Sequence, residues 1–410
     1  MVSERFQRID PILPLTVLGL VGCGLIALYS TSQSLLQAGG EINYFQKQLF
    51  WAFLGISGMI ILAFIPTRWI FKHAWTVYAI AVVLLIAIDF IPGLGFKGYG
   101  ASRWIRIGGI RFQPSEFAKL ATILALSRYL SWERLNINEL KPFAIASSIV
   151  LLPFALIVRQ PDLGTALALA ALVLPMFFWV GLSLKNLFKI IAPLLVLIAS
   201  FQEYAFYSVM ILIAAYLIFT EWKFFSGLLY FILNALMGLV TPMLWNQLAD
   251  YQKQRLIVFL NPEKFSKDAG YQIIQSKVAI GSGGWLGKGF LQGSQTQLRF
   301  LPEQHTDFIF AVIGEEFGFI GVMVVLTLFL IMLLRMTQLA GFFRNRFQSI
   351  FTIGVVTSIA FHMLVNVGMT IGFFPVTGLP LPFLSYGGSA LITNLMMVGI
   401  VLNFFRNRYE

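Results

Sequence analysis

Long apolar runs separated by short polar breaks fill almost the whole chain. They fall near 11–31, 48–66, 69–91, 115–131, 142–158, 163–182, 186–201, 204–220, 224–245, 307–335, 348–372 and 383–405. Most are close to the ~20 residues a helix needs to cross a bilayer core of about 30 Å. Their hydrophobicity is continuous rather than alternating, which predicts helices and not barrel strands. The pattern predicts an all-α polytopic membrane protein of about 12 transmembrane helices with a large extracytoplasmic loop. The 186–201 run is short. Merging it with 204–220 would give eleven spans and reverse the orientation of everything downstream.

Composition agrees with this reading. Hydrophobic residues make up 58% of the 410 and charged residues 11%, with a mean hydropathy of +0.81, whereas soluble domains carry about 25% charged residues. Cys23 is the single cysteine, so no intramolecular disulfide can form. Residues 1–30 resemble a signal peptide, with Arg5 and Arg8 ahead of an apolar stretch. No small-x-small cleavage site is evident, which predicts an uncleaved first helix. With no repeat or soluble segment visible, residues 1–410 read as a single integral membrane domain. Its first long outer loop is 92–113 and its large outer loop 246–305.

The net charge of +11 comes without a basic block or nucleic-acid signature, so its placement matters more than its size. With a cytoplasmic N-terminus, every short inner connection carries at least one cation: Arg5 and Arg8, Arg68 and Lys72, Arg128, Arg134 and Lys141, Lys185 and Lys189, Lys223, Arg335, Arg344 and Arg346, then Arg406 and Arg408. This satisfies the positive-inside rule. Most remaining cations lie in the two long outer loops: Lys97, Arg103, Arg106 and Arg111 in the first, then Lys253, Arg255, Lys264, Lys267, Lys277, Lys288 and Arg299 in the second. Long loops cross regardless of charge. An anionic ligand would give these loops a reason to be basic, although lipid headgroups are a simpler one.

Candidate chemistry gathers at the outer boundary. His305-Thr306-Asp307-Phe308 places a carboxylate where the polar loop meets an apolar run. A carboxylate there is costly to desolvate, so it serves a site or caps a helix. Gln113-Pro114-Ser115-Glu116 puts proline in a first turn, where Glu116 suits the helix dipole. Lys119 lies one turn further in, and an i,i+3 Glu–Lys pair lowers the burial cost of both. Asp162, after Pro161, would cap the 163–182 helix. Arg111, Glu116, Lys119, Asp162 and Asp307 all fall at one membrane depth, which suggests a polar cavity opening outward. The glycine run from Gly281 to Gly289 lacks P-loop spacing, but its backbone NH groups would suit an anion nest. Three prolines in Phe374–Phe383 exclude continuous helix and predict a re-entrant loop packed in protein. His362, Asn366 and Thr370 share one helical face, as interhelical hydrogen bonding requires.

Four stretches together resemble the SEDS family (shape, elongation, division and sporulation). They are Gln113–Glu116, Gln160-Pro161-Asp162-Leu163-Gly164-Thr165, the Phe300–Phe308 segment reading FLPEQHTDF, and Leu384-Ser385-Tyr386-Gly387-Gly388-Ser389. The wording of 270–284 and of Pro380-Leu381-Pro382 is closer to the family's RodA branch than to FtsW. The resemblance covers roughly 95–180 and 250–405. It implies a peptidoglycan glycosyltransferase polymerising lipid II at the outer face of the bacterial cytoplasmic membrane, partnered by a class B penicillin-binding transpeptidase. Asp307 matches the acid proposed as catalytic in the family. Arg111, Glu116, Lys119 and Asp162 match its polar cavity, with His305 beside the acid. The family usually has ten helices, so 183–245 reads as carrying an extra pair.

On that reading Asp307 deprotonates the 4-hydroxyl of one disaccharide, and Arg111 and Lys119 neutralise the diphosphate leaving group. A divalent cation held by Asp162 or Glu116 could share that role, although no sequence signature establishes a metal. Two rival readings stay open. A lipid II flippase would need charges accessible from both leaflets, and a non-catalytic scaffold of the elongation machinery would tolerate changes in the cavity.

Overall fold

The computed structural model describes residues 10–37, 39, 42–91, 95–98, 101–107, 110–220, 224–247, 253, 257–259 and 269–408. Arg5, Arg8, Lys223, Arg255, Lys264 and Lys267 from the charge analysis lie outside the described residues, as do Tyr99, Gly100, Gly108 and Gly109.

Each predicted apolar run becomes helix. In order these are α1 (Ile12–Gln37), α2 (Tyr44–Phe64), α3 (Thr67–Phe90), α4 (Pro114–Leu130) and α5 (Leu140–Arg159). The next run forms α6 (Leu163–Ala171) and α7 (Val173–Trp179), broken at Leu172. Then come α8 (Leu184–Ala199), α9 (Glu203–Phe219) and α10 (Phe224–Gln247), followed in the large loop by α11 (Ala269–Ser282) and the single turn α12 (Ser294–Gln297). The chain ends with α13 (Ile309–Phe342), α14 (Arg346–Thr370) and α15 (Gly388–Arg406). Eight helices among the described residues are long and apolar enough to cross a membrane alone, and α6–α7 and α9 are shorter apolar helices. The 186–201 run is a separate helix and does not merge with its neighbour. The chain is an integral membrane protein.

The long connection between α3 and α4 holds the described strands. β1 (Gly95–Gly98), β2 (Ala101–Ile107) and β3 (Ile110–Phe112) form an antiparallel sheet of order β1-β2-β3. β3 runs directly into Pro114 at the start of α4, so the sheet fixes where that helix begins.

At the centre of the bundle stands α4, packed against α3, α5, α14 and α15 and buried along most of its length. The pair α2 and α15 shares the most extensive helix–helix packing among the described residues. A Cβ added to Gly399 would come within 2.5 Å of the Met59 carbonyl oxygen, so only glycine permits this approach. Such packing through small residues holds helices together where lipid removes the hydrophobic drive. Peripheral to this bundle, α8, α9 and α10 pack around an apolar centre of their own, built on Ala192, Val196, Met210 and Ile213.

The glycine run of the large loop lies against α13. At Gly318 the backbone turns to φ 63°, ψ −159°, breaking the helical ladder. Phe319 and Ile320 N–H groups then donate to the carbonyls of Gly284 and Trp285, at 2.9 and 3.2 Å. In return Lys288 and Gly289 N–H donate to the carbonyls of Glu315 and Glu316, at 3.0 and 3.1 Å. The Lys288 and Gly289 NH groups are therefore spent on repairing a helix kink, which gives this end of the glycine run a structural role.

Candidate functional site

Four polar segments from distant parts of the chain meet at one end of the bundle. The first is the entry to α4. The Gln113 backbone N–H donates to Ser389 Oγ (3.1 Å), and its side-chain Nε2 donates to Asp162 Oδ2 (3.1 Å). The second is the N-terminus of α6, where Asp162 acts as cap. Its Oδ1 accepts from Thr165 N–H (3.2 Å) and its Oδ2 from Thr165 Oγ1 (3.0 Å). The third is the Asp307 loop. Tyr386 N–H donates to His305 O (2.9 Å), and Ser385 Oγ donates to Thr306 O (2.5 Å). The fourth is the Leu384–Ser389 segment itself, anchored to α2 by Gln48, which donates to Ser385 O and accepts from Gly387 N–H.

A proline-rich segment is wedged between these pieces. Residues 375–381 are non-helical, with Leu379 and Leu381 buried. A Cβ at Gly164 would sit 2.9 Å from Thr377 O, and one at Gly378 would sit 3.7 Å from Asp307 Oδ2. Gly378 has φ +73°, a conformation that favours glycine. The segment thus touches both the Asp162 end and the Asp307 end of the cluster.

Helix α14 ties the same segment to α4. Asn366 Nδ2 donates to both Leu379 O (2.8 Å) and Asp307 O (3.0 Å). One turn earlier, His362 Nδ1 lies 3.4 Å from Pro380 O, and its Nε2 lies 2.9 Å from Lys119 Nζ. An ammonium only donates, so His362 accepts at Nε2 and carries its proton at Nδ1, toward Pro380. Lys119 also pairs with Glu116 Oε2 at 2.9 Å, and both are buried, at 1% and 2% exposure. Glu116, Lys119, His362 and Pro380 form one continuous polar chain inside the bundle.

The sequence-predicted residues therefore meet, but at two depths. Arg111 is exposed, while His305 and Asp307 are half-buried. Glu116, Lys119 and Asp162 lie beneath, each engaged by protein partners. His305 stacks on Tyr44 with ring centroids 4.0 Å apart, and Tyr386 meets Tyr44 edge-on at 4.7 Å. Burial holds the His305 pKa below the ordinary histidine value, with the Glu303 carboxylate pulling it partly back. Burial pushes the Tyr386 phenol up, Tyr44 adds to that, and the charge of Arg111 opposes it. Arg111 is thereby an electrostatic neighbour of this aromatic cluster, close to the loop that carries Asp307.

Sequence reasoning did not place Tyr44, Gln48, Gln113, Ser385 or Tyr386 in the site, and it left His362 and Asn366 as general interhelical contacts. The i,i+4 spacing of His362 and Asn366 on one face was the available signal. Both residues that the sequence offered to a divalent cation have protein partners. Asp162 is occupied by N–H and O–H donors and Glu116 by an ammonium. Among the described residues no three His, Cys, Asp or Glu side chains come together.

All four interlocking segments carry the motifs of the SEDS resemblance, and whole-chain comparison agrees. The FtsW/RodA/SpoVE model, described as "Cell cycle protein", matches residues 11–216 and 192–410. The chain belongs to this family. It is 35% identical over 402 residues to the peptidoglycan glycosyltransferase MrdB of Escherichia coli (strain K12), covering 98% of this chain and 94% of that one. It is also 35% identical over 427 residues to the peptidoglycan glycosyltransferase RodA of Treponema pallidum (strain Nichols), covering 96% of each. Among solved structures, the fold resembles a chain reported under "Structural coordination of polymerization and crosslinking by a peptidoglycan synthase complex". That match has a TM-score of 0.75 at 28% identity and covers 98% of this chain and 99% of the other. It also resembles the crystal structure of Thermus thermophilus rod shape determining protein RodA, with a TM-score of 0.64 at 26% identity and 98% coverage of each.

Proposed function

We propose that this family member is a peptidoglycan glycosyltransferase. It polymerises lipid II into glycan strands at the outer face of the bacterial cytoplasmic membrane during elongation and rod-shape maintenance. The observation that carries this is the convergence of four family motifs on the loop bearing Asp307, at the end of the bundle where the basic outer loops begin. The names of the curated relatives support the reaction class. The polymerisation-and-crosslinking complex supports a class B penicillin-binding transpeptidase as partner. The distribution of cations over the short connections supports the orientation.

In this reading Asp307 removes the proton of the attacking sugar hydroxyl, an effect worth roughly 10²–10⁴-fold in rate. Arg111, the exposed cation near the loop, faces the departing diphosphate, for which the guanidinium fork is well shaped. His305, stacked on Tyr44, forms part of the sugar-binding wall. Glu116, Lys119 and Asp162 act from beneath by holding the proline-rich segment and the Asp307 loop in register. We also read the 183–245 region, which holds α8, α9 and α10, as carrying one helix pair beyond the family core. Two findings support this: α8–α10 have their own apolar centre, and the two family matches overlap over residues 192–216.

Purified Asp307→Asn protein should lose lipid II polymerisation by at least about 100-fold while keeping its thermal stability. Polymerisation at the parent rate by a folded Asp307→Asn variant would refute the assignment. Translocation of fluorescent lipid II in proteoliposomes, measured beside it, separates the polymerase from a flippase.

A further inference from the structure

At the far end of α4 from Glu116 and Lys119 lies a second polar feature that the polymerase reading does not use. The helix spans Pro114–Leu130, so at 1.5 Å per residue its two ends are about 25 Å apart. Arg128 and Tyr129 at its C-terminal end line a pocket of about 460 Å³ with Phe71, Trp75, Ser131, Trp132, Glu133 and Arg134. Phe71 and Trp75 lie one turn apart on α3, and Trp132–Arg134 belong to the connection that follows α4. In the orientation proposed above this is the cytoplasmic membrane boundary.

The pocket combines preset cation geometry with apolar walls. Arg128 is held in place: one guanidinium N–H donates to Lys72 O (2.8 Å), and its Cζ lies 4.8 Å from the Phe71 ring centroid. One of its five N–H donors is thus committed to the backbone. Arg134, the second cation, makes no ion pair among the described residues. Glu133 is the one acid in the lining and pairs with neither arginine within 4.0 Å, leaving a net charge of +1. Its backbone carbonyl accepts from Arg346 of α14 (3.5 Å), which anchors this wall. Trp132 is 68% and Trp75 39% exposed, as expected of rings sitting at headgroup level. Arg68 and Lys72, both exposed in the first turns of α3, extend the positive field.

We propose that this pocket binds an anionic phospholipid, the phosphate diester lying between Arg128 and Arg134 and the glycerol and first methylenes lying against Trp75 and Trp132. A single negative charge matches the net +1 of the lining. Basic pockets between transmembrane helices at this boundary are suited to acidic headgroups. A free phosphate would use the arginines and leave the tryptophan walls in water, so the aromatic lining favours the lipid.

The test uses the full-length protein in detergent micelles. Binding of dioleoyl phosphatidylglycerol is measured by native mass spectrometry against dioleoyl phosphatidylcholine, with millimolar inorganic phosphate as competitor. The parent should prefer phosphatidylglycerol. Arg134→Gln should weaken that lipid about five-fold, the scale of one basic residue at a charged surface. Arg134→Lys should retain most of the preference, and Lys185→Gln, a charge change elsewhere among the short connections, should leave it unaltered. Trp132→Ala should weaken both lipids. Equal phosphatidylglycerol binding by parent and Arg134→Gln overturns the proposal. So does displacement of the lipid by inorganic phosphate, or an equal loss in Arg134→Lys and Arg134→Gln.

Discussion

Lys119 offers the sharpest test of how the interior supports the Asp307 loop. Its ammonium is 1% exposed and has two partners at 2.9 Å, Glu116 Oε2 and His362 Nε2. Lys119→Met keeps the volume but strands Glu116, itself 2% exposed, without its cation. Breaking a buried pair from one side costs about 3–5 kcal/mol, most of it from the charge left behind. Glu116→Gln together with Lys119→Met removes both charges and should cost much less, about 1–2 kcal/mol, because only hydrogen bonds are lost. A double-mutant cycle by reversible unfolding in mixed detergent–SDS micelles should therefore show that adding Glu116→Gln to Lys119→Met restores about 2–3 kcal/mol of the stability lost. Polymerisation measured on the same proteins adds a second readout. If Lys119 acts only by holding His362 and the proline-rich segment, activity should return in part with stability in the double variant. If its charge assists diphosphate departure, activity should stay lost while stability recovers. Lys119→Met as stable as the parent, or additive single and double effects, would refute the buried-chain reasoning.

Three further outcomes follow from the same geometry. Gly378→Ala forces a φ of +73° on a residue with a Cβ, costing about 1–2 kcal/mol, and shifts the segment against Asp307. Polymerisation should fall more than stability does, and a parent-like rate would argue against the segment's role in placing Asp307. Asp162→Ala removes the N-cap of α6 and the Gln113 acceptor, so unfolding should become easier by about 1 kcal/mol or more, whereas Asp162→Asn should recover most of that. Unchanged unfolding of Asp162→Ala would contradict the cap. The third outcome concerns pH. The folded-state pKa of His305 lies below its ordinary value of 6.5, so the folded protein prefers the neutral ring. Stability is full above pH 6.5 and is lost as pH falls from there through the lowered folded pKa. Corrected for the intrinsic slowing of amide exchange at lower pH, the openness of residues 300–307 to hydrogen exchange should rise over that interval in the parent. His305→Phe should abolish the rise.

Much of this molecule was legible in its sequence, and the reason is the solvent. In lipid every backbone polar group must be satisfied within its own element, so each apolar run had to become helix, and even the short 186–201 run did. Helix-incompatible prolines at 375, 380 and 382 marked the buried irregular segment, since proline excludes the alternative locally. The candidate acids also declared themselves one by one, because an ionisable group at the lipid boundary is too costly to be incidental. Tertiary structure decided their ranking. Asp162, Glu116 and Lys119 sit at this end of the bundle, yet Asp162 accepts from Thr165 and Gln113, and Lys119 is held between Glu116 and His362. Whether a charged side chain faces substrate or protein depends on partners more than 200 residues away, as with Lys119 and His362, and no local pattern encodes that. The glycine run of 281–289 shows the same limit. Its composition permits an anion nest, but the Lys288 and Gly289 NH groups go to the carbonyls of a helix kinked at Gly318, acceptors that exist only once the chain has folded.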